Sequence, residues 1–237
     1  MPALFDAFEE HTLADLGVRG GSKAARVIKC KQHNDDGSAS ADWLALRLGI
    51  VTASQASVIV TSKGEPSKGQ TRLTYRNTLV AERLMGRDEN EHSSWQMERG
   101  INLEPKARAW YELTTGRTVQ EVGFIYGDEF KQWGCSPDGL CADRMIEIKC
   151  PMHKTMIGYL LRGTVPTDYI VQCQFQLWVT GLPLLDFVLY TPETEIPSVI
   201  WKVEADPKLH AAFSVHVPAF MEEVRRAEQA IREMDAE

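Results

Sequence analysis

The sequence predicts an α/β (α+β) protein with a central mixed β-sheet flanked by helices. Two observations carry that prediction. Short β-branched and aromatic runs alternate along the chain with longer stretches of helical periodicity, and no internal repeat or low-complexity tract interrupts them. Composition agrees: of 237 residues, 43% are hydrophobic and 25% charged, as in an ordinary globular chain long enough to bury a core.

The elements follow in order. Residues 1–16 are acidic, whereas 17–31 carry five basic residues and no acid, and the polar run 32–42 reads as a linker. The first 42 residues are therefore expected to be a flexible N-terminal appendage to a domain at 43–237, more a solvated tail than an arm that touches a polyanion. From Trp43, WLALRLGIVTAS reads as a short helix entering a turn, with Thr52 or Ser54 able to cap the next helix. A Gly/Ser/Lys-rich loop at 62–70 leads to a helix over 74–84. Lys63, Lys68, Arg72 and Arg76, against the single acid Glu65, make this stretch a local basic patch. Ala107, Trp110 and Tyr111 predict a helix over 103–113, with Pro105 in its first turn and Glu104 near its start. Strands are expected at 122–126, 133–136 and 145–149, then helices at 154–162 and 168–180, two strands at 184–191 and 198–204, and a last helix at 207–234.

Charge and composition limit the function. A net charge of -7 argues against a surface that is a polycation throughout, although a local basic groove is compatible with it. No run approaches the roughly 20 apolar residues of a membrane span. Asp6, Glu9, Glu10 and Asp15 stand where a signal peptide needs a basic start, so a cytoplasmic protein is expected. Cys30, Cys135, Cys141, Cys150 and Cys173 are an odd number in a long chain and read as reduced thiols.

The chemistry concentrates between Cys135 and Lys149. Asp138 sits in a Ser-Pro-Asp-Gly turn after one strand, while Glu147 and Lys149, two apart on the next, project to one face with Ile146 and Ile148 on the other. A hairpin sets the two acids side by side. Paired carboxylates with no thiolate suit Mg²⁺, and an adjacent lysine can hold or deprotonate an attacking water and offset charge building on a phosphate. As a bare spacing, D-x8-E-x-K also describes a salt-bridged surface hairpin. Glu104 adds a third acid from the upstream helix, and Gln172 and Gln174 open the helix that follows.

Five separated segments carry a resemblance: Leu46–Ser54 (LRLGIVTAS), Arg99-Gly100 with Glu104, Cys135–Cys141 (CSPDGLC), Glu147–Pro151 (EIKCP) and Gln172–Trp178 (QCQFQLW). Together they resemble the lambda exonuclease family, the YqaJ-type viral recombination nucleases of the PD-(D/E)XK superfamily, over about residues 43–230. The resemblance implies a restriction-endonuclease-like PD-(D/E)XK core. It also implies a Mg²⁺-dependent exonuclease, with Mn²⁺ able to substitute and two ions per site, that digests one strand of linear double-stranded DNA from its 5′ end. Mononucleotides leave and a 3′ overhang remains for phage-type recombination. A homotrimeric ring and a phage single-strand annealing protein as partner are implied too, with no membrane.

Carried over by position, Asp138, Glu147, Glu104 and the backbone carbonyl of Ile148 correspond to metal ligands, Lys149 to the residue acting on the water, and Gln172 to a glutamine ordering the site. Arg47 and Ser54 correspond to the 5′-phosphate contacts, in keeping with a bidentate guanidinium and a hydroxyl near a helix start. Lys63, Lys68, Arg72, Arg76 and Gln174 are candidate DNA contacts. A structure-specific or restriction-type endonuclease is the alternative. A DNA-binding module with a dead site is a weaker one, because the acidic triplet and lysine are intact.

Other residues read as structural. Cys135, Cys141, Cys150 and His153 lack paired zinc-knuckle spacing. Trp95, Trp110, Trp133, Trp178 and Trp201 are expected in the core. The last helix has six acids and three bases between Ala219 and Glu237, the composition of a solvated outer face or of a surface for a basic partner or neighbouring subunit.

Overall fold

The computed structural model describes residues 8–88 and 95–234. Nine strands and seven α-helices alternate within them, and the mixed α/β architecture is as the sequence predicts. The strands divide into two sheets rather than one. The first contains β1 (Glu10–His11), β2 (Arg26–Ile28), β3 (Val51–Thr52), β4 (Phe124–Tyr126) and β5 (Trp133–Cys135), in the order β1-β2-β4-β5-β3. The second contains β6 (Gly139–Leu140), β7 (Met145–Lys149), β8 (Leu184–Leu189) and β9 (Val199–Glu204), in that order, with β7 and β8 parallel and the outer pairs antiparallel.

The helices are α1 (Ala41–Arg47), α2 (Ala56–Ile59), α3 (Gln70–Met85), α4 (Trp95–Thr115), α5 (His153–Arg162), α6 (Thr167–Thr180) and α7 (Pro207–Met234). Helix α6 is the central one. It touches β4 and β5 of one sheet and β8 of the other, and its run from Cys173 to Leu177 is entirely buried, so it cannot show the polar stripe of a surface helix. Helix α7 lays Phe213, Val217, Phe220 and Val224 into the same core at helical spacing. Its acidic face is latched to α3: Arg72 grips Glu223 at 2.9 and 2.7 Å, and Arg83 donates to Glu228 at 2.6 Å.

Two further expectations change. The expected appendage supplies β1 and β2, and Leu13, Leu16, Val18, Ala25 and Val27 join the main core; the dense charges between these residues mask their apolar pattern in the sequence. Helix α4 begins well before residue 103, so Pro105 lies in its interior and Glu104 at mid-helix. That placement forgoes the helical hydrogen bond to the carbonyl of Ile101. Trp110, Trp133, Trp178 and Trp201 are partly buried and pack on the core, as expected, while the side chain of Trp95 lies outside the described residues. No helix among the described residues is long and apolar enough to cross a membrane.

Candidate active site

Strand β7 alternates as its sequence requires. Ile146 and Ile148 enter a small core with Ala107, Tyr111 and Val188, and Glu147 projects to the opposite face. That face is covered by α6, so Glu147 is only 1% exposed. A carboxylate taken this far from water needs compensating donors. It has three: Lys149 Nζ donates to Oε1 at 2.5 Å, Gln172 Nε2 to the same oxygen at 2.6 Å, and Gln176 Nε2 to Oε2 at 2.6 Å. Gln172 and Gln176 are one helical turn apart and therefore share a face of α6.

Asp138 follows β5 through the Pro137 turn and lies against β7, where its Oδ2 accepts from the Ile148 N–H at 2.6 Å. Burial raises its pKa well above the usual carboxylate range, and Glu147 and Glu104 push in the same direction, against Lys149 and the Ile148 N–H. Glu104 is also raised by burial, which Arg108 opposes and Glu147 reinforces. Arg108 ties it in place, donating to Glu104 at 2.9 Å and to the Asp138 carbonyl at 2.6 Å. Lys149 is half-buried, which disfavours its charge, but Glu147 and Asp138 outweigh that and hold it cationic.

Asp138, Glu147 and Glu104 thus influence one another electrostatically around one lysine. All offer hard oxygens, and the raised Asp138 and Glu104 mark a site short of positive charge, so in kind they fit a divalent cation. In this arrangement Glu147 is turned to Lys149 and the glutamines, and among the described residues no three acidic, histidine or cysteine side chains converge tightly enough to hold a metal. The cysteines fit this picture: Cys135, Cys141 and Cys173 are buried and all five are unpaired.

Arg47 and Ser54 line a cavity of about 1080 Å³. Arg47 ends α1 with its Cζ 4.0 Å from the centre of the Trp43 ring, and makes no hydrogen bond among the described residues. Trp43 in turn donates through Nε1 to Ser136 Oγ at 2.7 Å, two residues before Asp138. The turn between Arg47 and Ser54 needs Gly49: its φ is +68°, and a Cβ there would stand 2.2 Å from Arg83 Cγ. Ser54 lies in the short turn after β3, its Oγ 3.4 Å from Thr52 Oγ1.

The remaining candidates divide. Lys63 and Lys68 are exposed, and Arg76 bonds its neighbour Asn77. Arg72 is spent on Glu223 and the Phe220 ring, so it latches helices instead of meeting solvent. Gln174 is 4% exposed, donates to the Glu204 carbonyl and accepts from the Asp206 N–H, which corrects its reading as a DNA contact. Gln176 belongs to the QCQFQLW segment, but the sequence reading assigns it no role. Its signal was the i, i+4 relation to Gln172, which the i, i+2 pair with Gln174 obscured.

Residues 42–183 match the model of the YqaJ-like viral recombinase domain. A search of curated protein sequences returns no match. Among solved structures, the chain is similar to an alkaline exonuclease, LHK-Exo, from Laribacter hongkongensis, at 35% identity and a TM-score of 0.75 over 83% of this chain and 98% of that one. The complex of LHK-Exo with dAMP matches at 36% identity and a TM-score of 0.76, with the same coverage. A phage-related exonuclease from Haemophilus somnus 129PT shares the fold, at 16% identity and a TM-score of 0.57 over 78% of this chain and 96% of that one. With a family match across more than half its length and the PD-(D/E)XK-type fold of alkaline exonucleases, the chain belongs to the YqaJ-like viral recombinase family.

Proposed function

We propose that this chain is a divalent-metal-dependent exonuclease acting on linear double-stranded DNA from the 5′ end, releasing mononucleotides and leaving a 3′ overhang for recombination. The observation that carries this reading is the buried Glu147 carboxylate bonded to Lys149, beside an Asp138 that is charge-starved and fixed by the Ile148 N–H. Its relative's complex with dAMP, a nucleoside monophosphate, suits mononucleotide release.

Asp138, Glu147, Glu104 and the Ile148 carbonyl would hold Mg²⁺, or Mn²⁺ in its place, with two ions per site. Such an ion, when bound, polarises the phosphodiester and lowers the pKa of a water ligand. Lys149, held cationic by its acidic neighbours, orients the attacking water and offsets charge on the phosphate; it turns into a base only once Glu147 is engaged elsewhere. Gln172 and Gln176 fix the plane of the Glu147 carboxylate. Arg47, supported by Trp43 and aided by Ser54, grips the 5′-terminal phosphate, which each cleavage renews one nucleotide further on. Lys63 and Lys68 contact the duplex backbone. We place the protein in the bacterial cytoplasm as a phage or prophage product, assembled as a homotrimeric ring and partnered by a single-strand annealing protein.

An end-labelled linear duplex, incubated with Mg²⁺ or with EDTA beside a covalently closed circle, tests this reading. Metal-dependent loss of 5′ label from the linear form alone is expected. Cutting of the circle would favour the endonuclease alternative.

A further inference from the structure

The cavity beside Arg47 is larger than a phosphate requires, and part of its wall comes from residues before the family match at 42–183. His33, Asp36 and Ser38 line it together with Trp43, Arg47 and Ser54. This wall is anchored. Gln32 Nε2 donates to the Val122 carbonyl at 2.9 Å and to the Pro137 carbonyl at 3.0 Å, next to Asp138. Ser40 Oγ donates to the Lys31 carbonyl at 2.5 Å and caps α1 by accepting from the Trp43 N–H at 3.1 Å. His33 is thereby held with its ring 5.6 Å from that of Trp43, the indole that also carries Arg47. Its ring nitrogens make no hydrogen bond among the described residues.

We infer that His33 is a second recognition residue for the 5′-terminal phosphate, donating a ring N–H to it beside Arg47. The inference rests on the proposed phosphate pocket at Arg47. One indole supports both groups, the ring nitrogens are unengaged, and the segment is fixed at both ends, so the ordering cost of the contact is met before DNA arrives. The charges that act on it are Arg47 from α1 and Arg108 from α4, and Asp36, Glu82 of α3, Asp88 and Glu98 of α4 line the same cavity. Asp36 accepts from Ser38, and Glu82 from the Gly49 N–H. Burial, then Arg47 and Arg108, hold the imidazole below its ordinary pKa, so it starts neutral with one N–H to donate.

The test compares kcat/KM on linear duplexes carrying 5′-phosphate or 5′-hydroxyl ends for wild type, His33→Ala, His33→Gln and Arg47→Ala. His33→Ala is expected to lower kcat/KM about tenfold on the phosphorylated end alone, through KM, the scale of one lost hydrogen bond to a charged group. His33→Gln, which keeps an N–H donor, should recover most of that loss. Equal slowing of both ends by His33→Ala would overturn the inference, because a loop that merely packs against Trp43 affects every substrate. An Arg47→Ala enzyme without the phosphate preference, beside a His33→Ala enzyme that retains it, would overturn the role of His33 and leave the pocket standing. A wild-type enzyme indifferent to the phosphate would overturn both.

Discussion

Gln176 donates to Oε2 of Glu147 at 2.6 Å, taking the carboxylate oxygen that Lys149 and Gln172 leave. The glutamine is 1% exposed and its own Oε1 is buried with no partner among the described residues, so its amide is oriented wholly by the carboxylate. Removing it frees one Glu147 oxygen without leaving a cavity if leucine takes its place. Gln176→Leu should therefore still fold, with a Tm several degrees lower because a buried carboxylate oxygen loses its donor, while kcat falls roughly tenfold and half-maximal activity needs more Mg²⁺. Metal titrations of the pure variant measure this. An unchanged titration curve would show that the carboxylate is held well enough by its other two donors.

Asp138→Ala, Glu147→Ala and Lys149→Ala should each lower cleavage by at least about a thousandfold and leave duplex binding within a few-fold of wild type, because these groups act on the transition state more than on the bound substrate. Gel shifts in EDTA beside cleavage assays separate the two quantities. Substantial turnover in any two variants would mean that the reacting atoms lie elsewhere.

Replacing Mg²⁺ by Ca²⁺ should preserve DNA binding and stop cleavage, since the larger ion accepts a looser, higher coordination and does not hold the water in line. Turnover with Ca²⁺ as the sole metal would count against the proposed arrangement.

Arg72→Ala should lower stability by about 1–2 kcal/mol, through the lost bidentate contact to Glu223 and the lost packing on Phe220, with little effect on DNA affinity. Thermal melts and binding isotherms decide between this latch and a DNA-contacting role, in which affinity would fall and stability would not.

Light scattering should report about 80 kDa, three chains of 26.6 kDa each. A monomer or dimer at micromolar concentration would remove the ring and leave the enzyme distributive.

Much of this was legible in the sequence because it is local. The alternation of Ile146, Glu147, Ile148 and Lys149 specifies which side chains of one strand meet the core and which meet a site, whatever the rest of the chain does. The 207–234 helix is likewise announced by Pro207 at its first position and by apolar residues at helical spacing. What escaped depends on distant partners. Gln174 and Gln176 look equivalent as polar residues in a helix, and only the neighbouring strands decide that one serves the backbone at Glu204 and the other Glu147. Pro105 inside α4 is unreadable for the same reason, because packing of Ala107 and Tyr111 outweighs the local preference for a helix to start there. The split of the strands into two sheets is set by α6 between them, and residues 10–28 reach the sheet only through pairing with β4, about a hundred positions away.

That last pairing bears on how the gene could be cut. The span 42–183 is what the family model matches, yet it stops one residue before β8 and starts after β2. A fragment with those ends would carry every carboxylate of the candidate site and still bare the flank of β7 that β8 covers and the flank of β4 that β2 covers. Unpaired, largely apolar strand edges recruit one another. The excised piece should therefore precipitate on expression, because the span matched by the family model is shorter than the one that pairs both sheets.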